Sequence, residues 1–486
     1  MSPIPPPPPP LPPPAPPLPG LPPPAPPLRA GPPPAGLSSG LGGTWQRLHP
    51  LTPLARFGIA AGVIPIALVL ADQGAAGGGS GPGSNTLISA AVLAALAGLA
   101  LLSGVISWLV TRWRVVGDEL QIDSGLVVRQ SVRFPLRRVQ AVDIVAPLTA
   151  RLLGLAEVRV ISAGTGHRLR GSLAFLRNQD AAALRAQLLA LAHGLAPETP
   201  EPPALPLFRV ANGRLVGATL LRGHVLGVLL LVAAATAAAA AGGGGPVERT
   251  TSLLSGALTA LVAAGLETWR SVNTDFDFTV GEAADGLRLH RGLLQKRHET
   301  VPLARVQAVR LLRPLLWRPF GWARVELDVA RQAGPRHDRE AHQVARLLAP
   351  VARRAEAEWL VARLMPGAPA LAATARRPPA RAALRSPLAY HYLRAVHDAR
   401  YLVTQTGRVR PATVFLPLEK VQSIRWSSGP LLRALRLAQV RVDTAGHRWV
   451  GEALCRDAAE AGRLTGDLAE LSRRARRVPS APPVSR

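Results

Sequence analysis

The sequence predicts a chain of mixed class: four transmembrane α-helices in two hairpins, joined to three small β modules that each end in a helix. Three observations carry that expectation. Four apolar stretches interrupt a basic chain, three segments repeat one another without gaps, and each repeat alternates apolar and polar residues like a strand. The chain has 486 residues, and its 57 Lys and Arg against 30 Asp and Glu leave a net charge of +27. Apolar residues make up 48%, only 18% are charged, and mean hydropathy is +0.17. A chain both basic and net apolar fits a membrane protein with polar mass on one side. Its single cysteine, Cys455, excludes an intramolecular disulfide framework and a multi-Cys metal cluster.

Residues 3–34 are dominated by proline runs such as Pro5 to Pro10. Proline lacks the amide donor that helices and central strands need, so this segment reads as an uncleaved, disordered tail near polyproline II. The first apolar stretch, 54–71, carries one charge, Arg56, at its edge and Pro65 inside it. The second, 87–110, has no charged residue over 24 positions, enough to cross a hydrocarbon core of about 30 Å. The third, 223–241, has only His224 and Thr236 as polar groups, and the fourth, 251–266, is the shortest at 16 residues. Gly-rich loops at 74–83 and 242–245 join them into two pairs.

Arginine placement sets the expected orientation. The loop at 72–86 contains no Lys or Arg, while Arg112, Arg114, Arg129 and Arg133 follow the second stretch and Arg270, Arg288 and Arg291 follow the fourth. Both termini and both large polar regions are therefore expected in the cytoplasm, with Trp108, Trp113 and Trp269 at membrane interfaces.

The repeats align over some forty-five residues, at spacings of 167 and then 115. The first contains Gly125, Phe134-Pro135-Leu136-Arg137-Arg138-Val139-Gln140-Ala141-Val142, Arg151 and Gly154. The second has Gly292, Val301-Pro302-Leu303-Ala304-Arg305-Val306-Gln307-Ala308-Val309, Arg318 and Gly321. The third has Gly407, Leu416-Pro417-Leu418-Glu419-Lys420-Val421-Gln422-Ser423-Ile424, Arg433 and Arg436. Period-two pairs such as Leu120/Ile122, Leu287/Leu289 and Val440/Val442 mark strands, and Gly125, Gly292 and Gly407 mark tight turns between them. Helical patterns follow at 180–193, 353–365 and 453–474, with Asp180 as a first-turn acid. Each copy thus reads as a small β module of about 80 residues closed by one helix.

These residues resemble the bacterial PH-domain membrane proteins of the YdbS/YdbT-like type. The stretch at 118–164 and its two echoes carry the resemblance, which extends over residues 45–475. It implies a PH-like fold, two roughly orthogonal sheets with a C-terminal capping helix, without implying phosphoinositide binding. The third copy departs from the pattern at Arg436, where the others have glycine, and at Thr404, where they have Ile122 and Leu289.

Catalytic chemistry finds no foothold. Gly164-Thr165-Gly166 lacks the third Gly and the Lys-Ser/Thr of a phosphate loop and reads as a turn. The eleven histidines contain no His-x-x-x-His pair beside a carboxylate, and Cys455 has no His and acid partner in its sequence context. No cofactor, metal or enzyme activity is expected. Aromatic residues are scarce at 4%, which argues against nucleic acid as a partner. Basic clusters at Arg137-Arg138, Arg376-Arg377 and Arg473 to Arg477 read equally as anionic-lipid contacts or as solvated positive faces.

The expected organisation is a Pro-rich tail at 1–50, helical pairs at 51–112 and 220–270, modules at 113–195, 271–366 and 396–477, linkers at 196–219 and 367–395, and a tail at 478–486. The expected function is non-catalytic: a multi-pass cell-membrane protein whose modules bind one another, a partner protein, or anionic lipid. The alternative is a transport or export component with the helical pairs as its path. Candidate contact residues are Arg151, Arg318 and Arg433, which recur at one repeat position, with Gln140, Gln307, Gln422, Arg137 and Arg138. For the recurring arginine, a carbonyl cap or salt bridge within its own module is the competing role.

Overall fold

The computed structural model describes residues 45–53, parts of 95–110, 111–117, 119–125, 130–136, 139–162, 171–192, 203–222, scattered positions of 227–237, 247–283, 286–330, 346–446 and 449–477. The proline-rich segment, the first apolar stretch, both Gly-rich loops, the C-terminal tail and the Arg137-Arg138 pair lie outside the described residues.

In the first module, β1 (Gln46–Arg47), β2 (Arg112–Val116), β3 (Glu119–Ser124) and β4 (Gln130–Pro135) form one sheet in chain order. Along β2, Trp113 and Val115 are buried while Arg112 and Val116 are exposed, the alternation of a strand with one face on a core. A second layer contains β5 (Val139–Ala146), β6 (Leu155–Ser162) and β7 (Gly171–Arg177), with α1 (Leu148–Leu152) between β5 and β6. Helix α2 (Asn178–Ala192) closes the module, placing Leu184 and Leu188 against Leu120, Phe134, Val142 and Val158. Each such buried Leu or Phe contributes about 1.5–3 kcal/mol.

The second module follows the same order: β8 (Leu205–Arg209), α3 (Asn212–Leu220), α4 (Val247–Asp275), β9 (Thr279–Ala283), β10 (Gly286–Arg291) and β11 (Lys296–Val301), then β12 (Val306–Leu312), β13 (Trp322–Val329), β14 (Arg346–Arg353) and α5 (Arg354–Leu364). Trp317 anchors its core, with the indole Nε1 donating to the Ala218 carbonyl at 3.0 Å. The third comprises α6 (Ala368–Ala373), α7 (Ala382–Arg385), β15 (Arg394–His397), β16 (Tyr401–Thr406) and β17 (Ala412–Pro417), then β18 (Val421–Ser427), α8 (Pro430–Ala434), β19 (Leu437–Thr444), β20 (Gly451–Asp457) and α9 (Ala458–Arg477). Asp457 caps α9, its carboxylate accepting from the Ala459 amide at 3.0 Å.

The sheets do not stop at module boundaries. One seven-stranded sheet runs β7-β6-β5-β11-β10-β9-β8, and a six-stranded sheet runs β14-β13-β12-β17-β16-β15. The second layer of the first and of the second module is thus continuous with the first layer of the next, while β1-β2-β3-β4 at one end and β18-β19-β20 at the other each stay within one module.

The expected membrane-spanning helices are overturned. Among the described residues, no helix is long and apolar enough to cross a membrane. The apolar stretch at 251–266 is part of α4, a helix of 29 residues that contains Glu248, Arg249, Glu267, Arg270 and Asp275. The end of α4 belongs to the second module: the Asn273 carbonyl accepts from the Leu293 amide at 2.9 Å, and Asp275 pairs with Arg291 at 3.5 Å. Of the second and third stretches only separate helical positions are described, such as 102–106 and 232–234. The transport path expected from those spans has no spanning helix among the described residues to support it.

Three boundaries also move. Gln46–Arg47, expected in the tail, pairs with Arg112 and Trp113. Leu205–Arg209, expected in a linker, pairs with β9, and α9 begins at Ala458 because 451–457 form β20. Two-residue strands and edge additions carry too little periodicity to be read locally.

Candidate functional site

The repeats set up two module junctions with one geometry. At the first, β5 and β11 run antiparallel with Ala146, Val145 and Ile144 opposite Lys296, Arg297 and His298. At the second, β12 and β17 pair Val309, Arg310, Leu311 and Leu312 with Phe415, Val414, Thr413 and Ala412. The repeat spacings map Val145 onto Leu312 and Arg297 onto Ala412, so both junctions use the same register. A one-residue slip would turn every side chain to the opposite face, and matching apolar faces prevent it.

The recurring arginine reinforces each junction. Arg151 donates through Nη1 to the Leu293 carbonyl at 3.0 Å, and Arg318 through Nη2 to the Arg408 carbonyl at 2.6 Å. Leu293 and Arg408 are repeat equivalents, each following the turn glycine, Gly292 or Gly407, of the next module. Gly292 has φ +110°, and a Cβ there would strike the Gln295 carbonyl, so the turn that presents the acceptor requires glycine. Arg318 also lies over the Tyr392 ring at 5.2 Å. The arginine is therefore a carbonyl cap across the junction rather than within its own module. Arg433, the third copy, is exposed and its guanidinium has no partner among the described residues.

The recurring glutamine marks a different feature. Pairing of β5 with β6, β12 with β13 and β18 with β19 shifts register at Gln140, Gln307 and Gln422 respectively. Each occupies a β-bulge; those at Gln140 and Gln307 bend the strands that enter the junctions, and that at Gln422 bends β18, which ends its sheet. Gln307 is buried and donates through Nε2 to the Arg305 carbonyl at 3.3 Å, whereas Gln422 is exposed. The Gln140 backbone lies in β5, and its side chain is outside the described residues.

Polar contacts missed in the sequence tighten both junctions. Arg185 on α2, 5% exposed, donates through Nη2 to the Thr300 hydroxyl at 2.9 Å, and the Thr300 amide donates to the Asp143 carboxylate at 3.3 Å. At the second junction Trp449 packs on Ala308 and Val414, its amide donates to the Asp328 carboxylate at 3.4 Å, and Arg310 lies over its ring at 5.5 Å. Apart from Ala308, none of these residues belongs to the repeated motif, so only three-dimensional adjacency reveals them.

Beside the first junction, the His290 and His298 rings meet edge to face at 4.4 Å between centroids with their Nδ1 atoms in contact. Burial, then His290, Arg185 and Lys296, push the His298 pKa down to about 4. No group of three or more His, Cys, Asp or Glu side chains converges among the described residues. Two clefts, near His49 and Trp113 and near His397 and Arg463, enclose about 150 and 260 Å³. Small-molecule sites usually enclose about 300–1,000 Å³, so neither cleft competes with the junctions as the site.

A comparison with curated proteins finds no match. A comparison with protein families matches the bacterial PH domain three times, over residues 59–192, 225–368 and 347–472. The three matches cover most of the chain and each takes in most of one sheet-and-helix unit, the second and third overlapping at 347–368, and the chain belongs to the bacterial PH domain family.

Proposed function

We propose that the chain is a non-catalytic scaffold whose PH-like modules act by protein–protein interaction. The observation that carries this reading is the pair of junctions at β5–β11 and β12–β17, built with one register and one arginine cap. Strand addition to a sheet edge is a common way for proteins to bind one another, and this chain uses it twice on itself. Closer kinship with the YdbS/YdbT-like type belongs to the same proposal, supported by the order of the repeats along the chain.

A second reading, contact with an anionic lipid surface at the cytoplasmic face of the cell membrane, draws on the net charge of +27 and the end of α9. Arg473, Arg474, Arg476 and Arg477 gather there, and Glu470 engages Arg473 and Arg474 at 2.9 and 2.8 Å. That pairing leaves fewer charges for lipid, so the protein reading is the stronger.

Cross-linking mass spectrometry of the full chain in its native extract separates the two. The scaffold reading expects cross-links from other polypeptides concentrated on module edges and insensitive to salt. Absence of such cross-links, with salt-sensitive flotation on vesicles of anionic lipid, contradicts it.

A further inference from the structure

The junctions leave two sheet edges unused. In chain order each module offers one strand forward, β5, β12 or β18, and one backward, β4, β11 or β17. β5 takes β11 and β12 takes β17, but β18 ends the last sheet and β4 ends the first. An open strand edge presents unpaired amides and carbonyls and is ordinarily covered or blunted.

The side chains of β18 match that of a junction strand missing its neighbour. Val309 and Leu311 are 0% and 5% exposed beneath β17, whereas their equivalents Ile424 and Trp426 are half-buried and 48% exposed. A tryptophan on an open edge is costly in water and typical of an interface anchor. Arg425 is equivalent to Arg310, which tolerates the β12–β17 pairing, so it does not block the edge. Arg433 completes the set, free where Arg151 and Arg318 are engaged. At the other end of the chain, Ser131 and Arg133 of β4 are exposed and Val132 is half-buried.

We propose that β18 is a docking site for β4 of a second copy of this chain. The register of the two internal junctions places Ile424 opposite Arg133, Arg425 opposite Val132 and Trp426 opposite Ser131. This deepens the scaffold reading and rests on it, by naming the partner at one edge. The contact joins two different surfaces, so it is heterologous and continues head to tail instead of closing at a dimer.

Sedimentation velocity of the full chain over two decades of concentration tests the proposal. The average mass should rise past that of a dimer as concentration increases. Trp426→Asp and Ser131→Asp, both at exposed positions, should each remain monomeric, because each spoils one edge. Mixing them should produce a heterodimer and nothing larger, since each variant retains the edge that the other lacks. In a Cys455→Ala background, Trp426→Cys chains should form a disulfide with Ser131→Cys chains and not with Val132→Cys chains, whose side chain faces the other side. A parent chain monomeric throughout, or growth indifferent to both Asp variants, would overturn the assignment. A monomer that still cross-links to other proteins removes the second copy as partner and leaves the scaffold reading standing.

Discussion

Arg318 of the second module donates to the Arg408 carbonyl of the third at 2.6 Å, joining residues ninety positions apart in the chain. The bond repeats that of Arg151 to Leu293 and has no counterpart at Arg433 among the described residues. A single repeat position therefore carries two junction contacts and one exposed side chain. Arg318→Ala should destabilise the chain by about 1–2 kcal/mol, the usual worth of a charge-assisted hydrogen bond that is partly solvated. Arg433→Ala in dilute solution should change stability by less than ~0.5 kcal/mol, as surface substitutions do. Equilibrium unfolding in guanidinium compares the two, and equal effects would count against the junction role.

The turn before the second strand of each second layer, β6, β13 or β19, is left-handed in all three modules. Gly154 and Gly321 have φ of 68° and 62°, and Arg436 keeps φ at 51° although its Cβ resists that conformation. The glycine missing from the third copy thus alters strain and preserves the turn. Nothing lies within 4 Å of a Cβ built on Gly321, so Gly321→Ala should cost about 1 kcal/mol through left-handed backbone strain without any clash. Arg436→Gly should gain stability by up to a similar amount, read as a raised midpoint in a thermal melt.

His298 ties stability to pH. Its folded pKa of about 4 lies below the ordinary 6.5, so the unfolded chain binds the proton more readily. Below pH 6.5 protonation favours unfolding, and stability falls progressively until pH reaches about 4. His290 is lowered too, by burial and then by Arg185 and Arg288, and acts in the same direction. Denaturant midpoints at pH 7.5 and pH 5 should differ in the parent, and His298→Phe should narrow that difference. A midpoint that rises on acidification would contradict the pair's neutral, buried state.

Arg291 is 5% exposed between Asp275 at 3.5 Å and Glu299 at 3.0 Å. Replacing it by Leu strands two carboxylates in a poorly hydrated place, so Arg291→Leu should cost about 3–5 kcal/mol. The exposed Arg354–Glu358 pair on α5 offers the contrast: Arg354→Ala should cost less than ~1 kcal/mol. The loss should appear as a fall in denaturant midpoint, much larger for Arg291 than for Arg354.

The interior of each module was legible because strand and helix patterns are local. Leu120/Ile122, Leu287/Leu289 and Val440/Val442 alternate within single strands, and all six residues are buried. The joining of modules was not legible, since β12 meets β17 across about a hundred residues and the motif is shaped equally by bulge and core. The recurrence of Arg151 and Arg318 drew attention to the right position, but carbonyl acceptors such as Leu293 leave no mark on side-chain identity. Apolarity misled in the other direction. The stretch at 251–266 has the composition of a span, yet its helix ends in the polar contacts of Asn273 and Asp275 with the second module. Leu258, Val262 and Trp269 remain exposed along it, the residue of the signal that the sequence displays.

The central claim, that neighbouring modules share continuous sheets, is tested most directly by amide hydrogen exchange of the full chain at a concentration where it is dilute and single. Amides of β12 and β17 should exchange together, with protection comparable to the β13 and β16 strands that flank them, because opening the junction requires opening both cores. β18, with one side free under those conditions, should show unprotected amides on alternate residues. Rapid exchange along the facing edges of β12 and β17, with the rest of both modules protected, would contradict the account by making each module an independent unit.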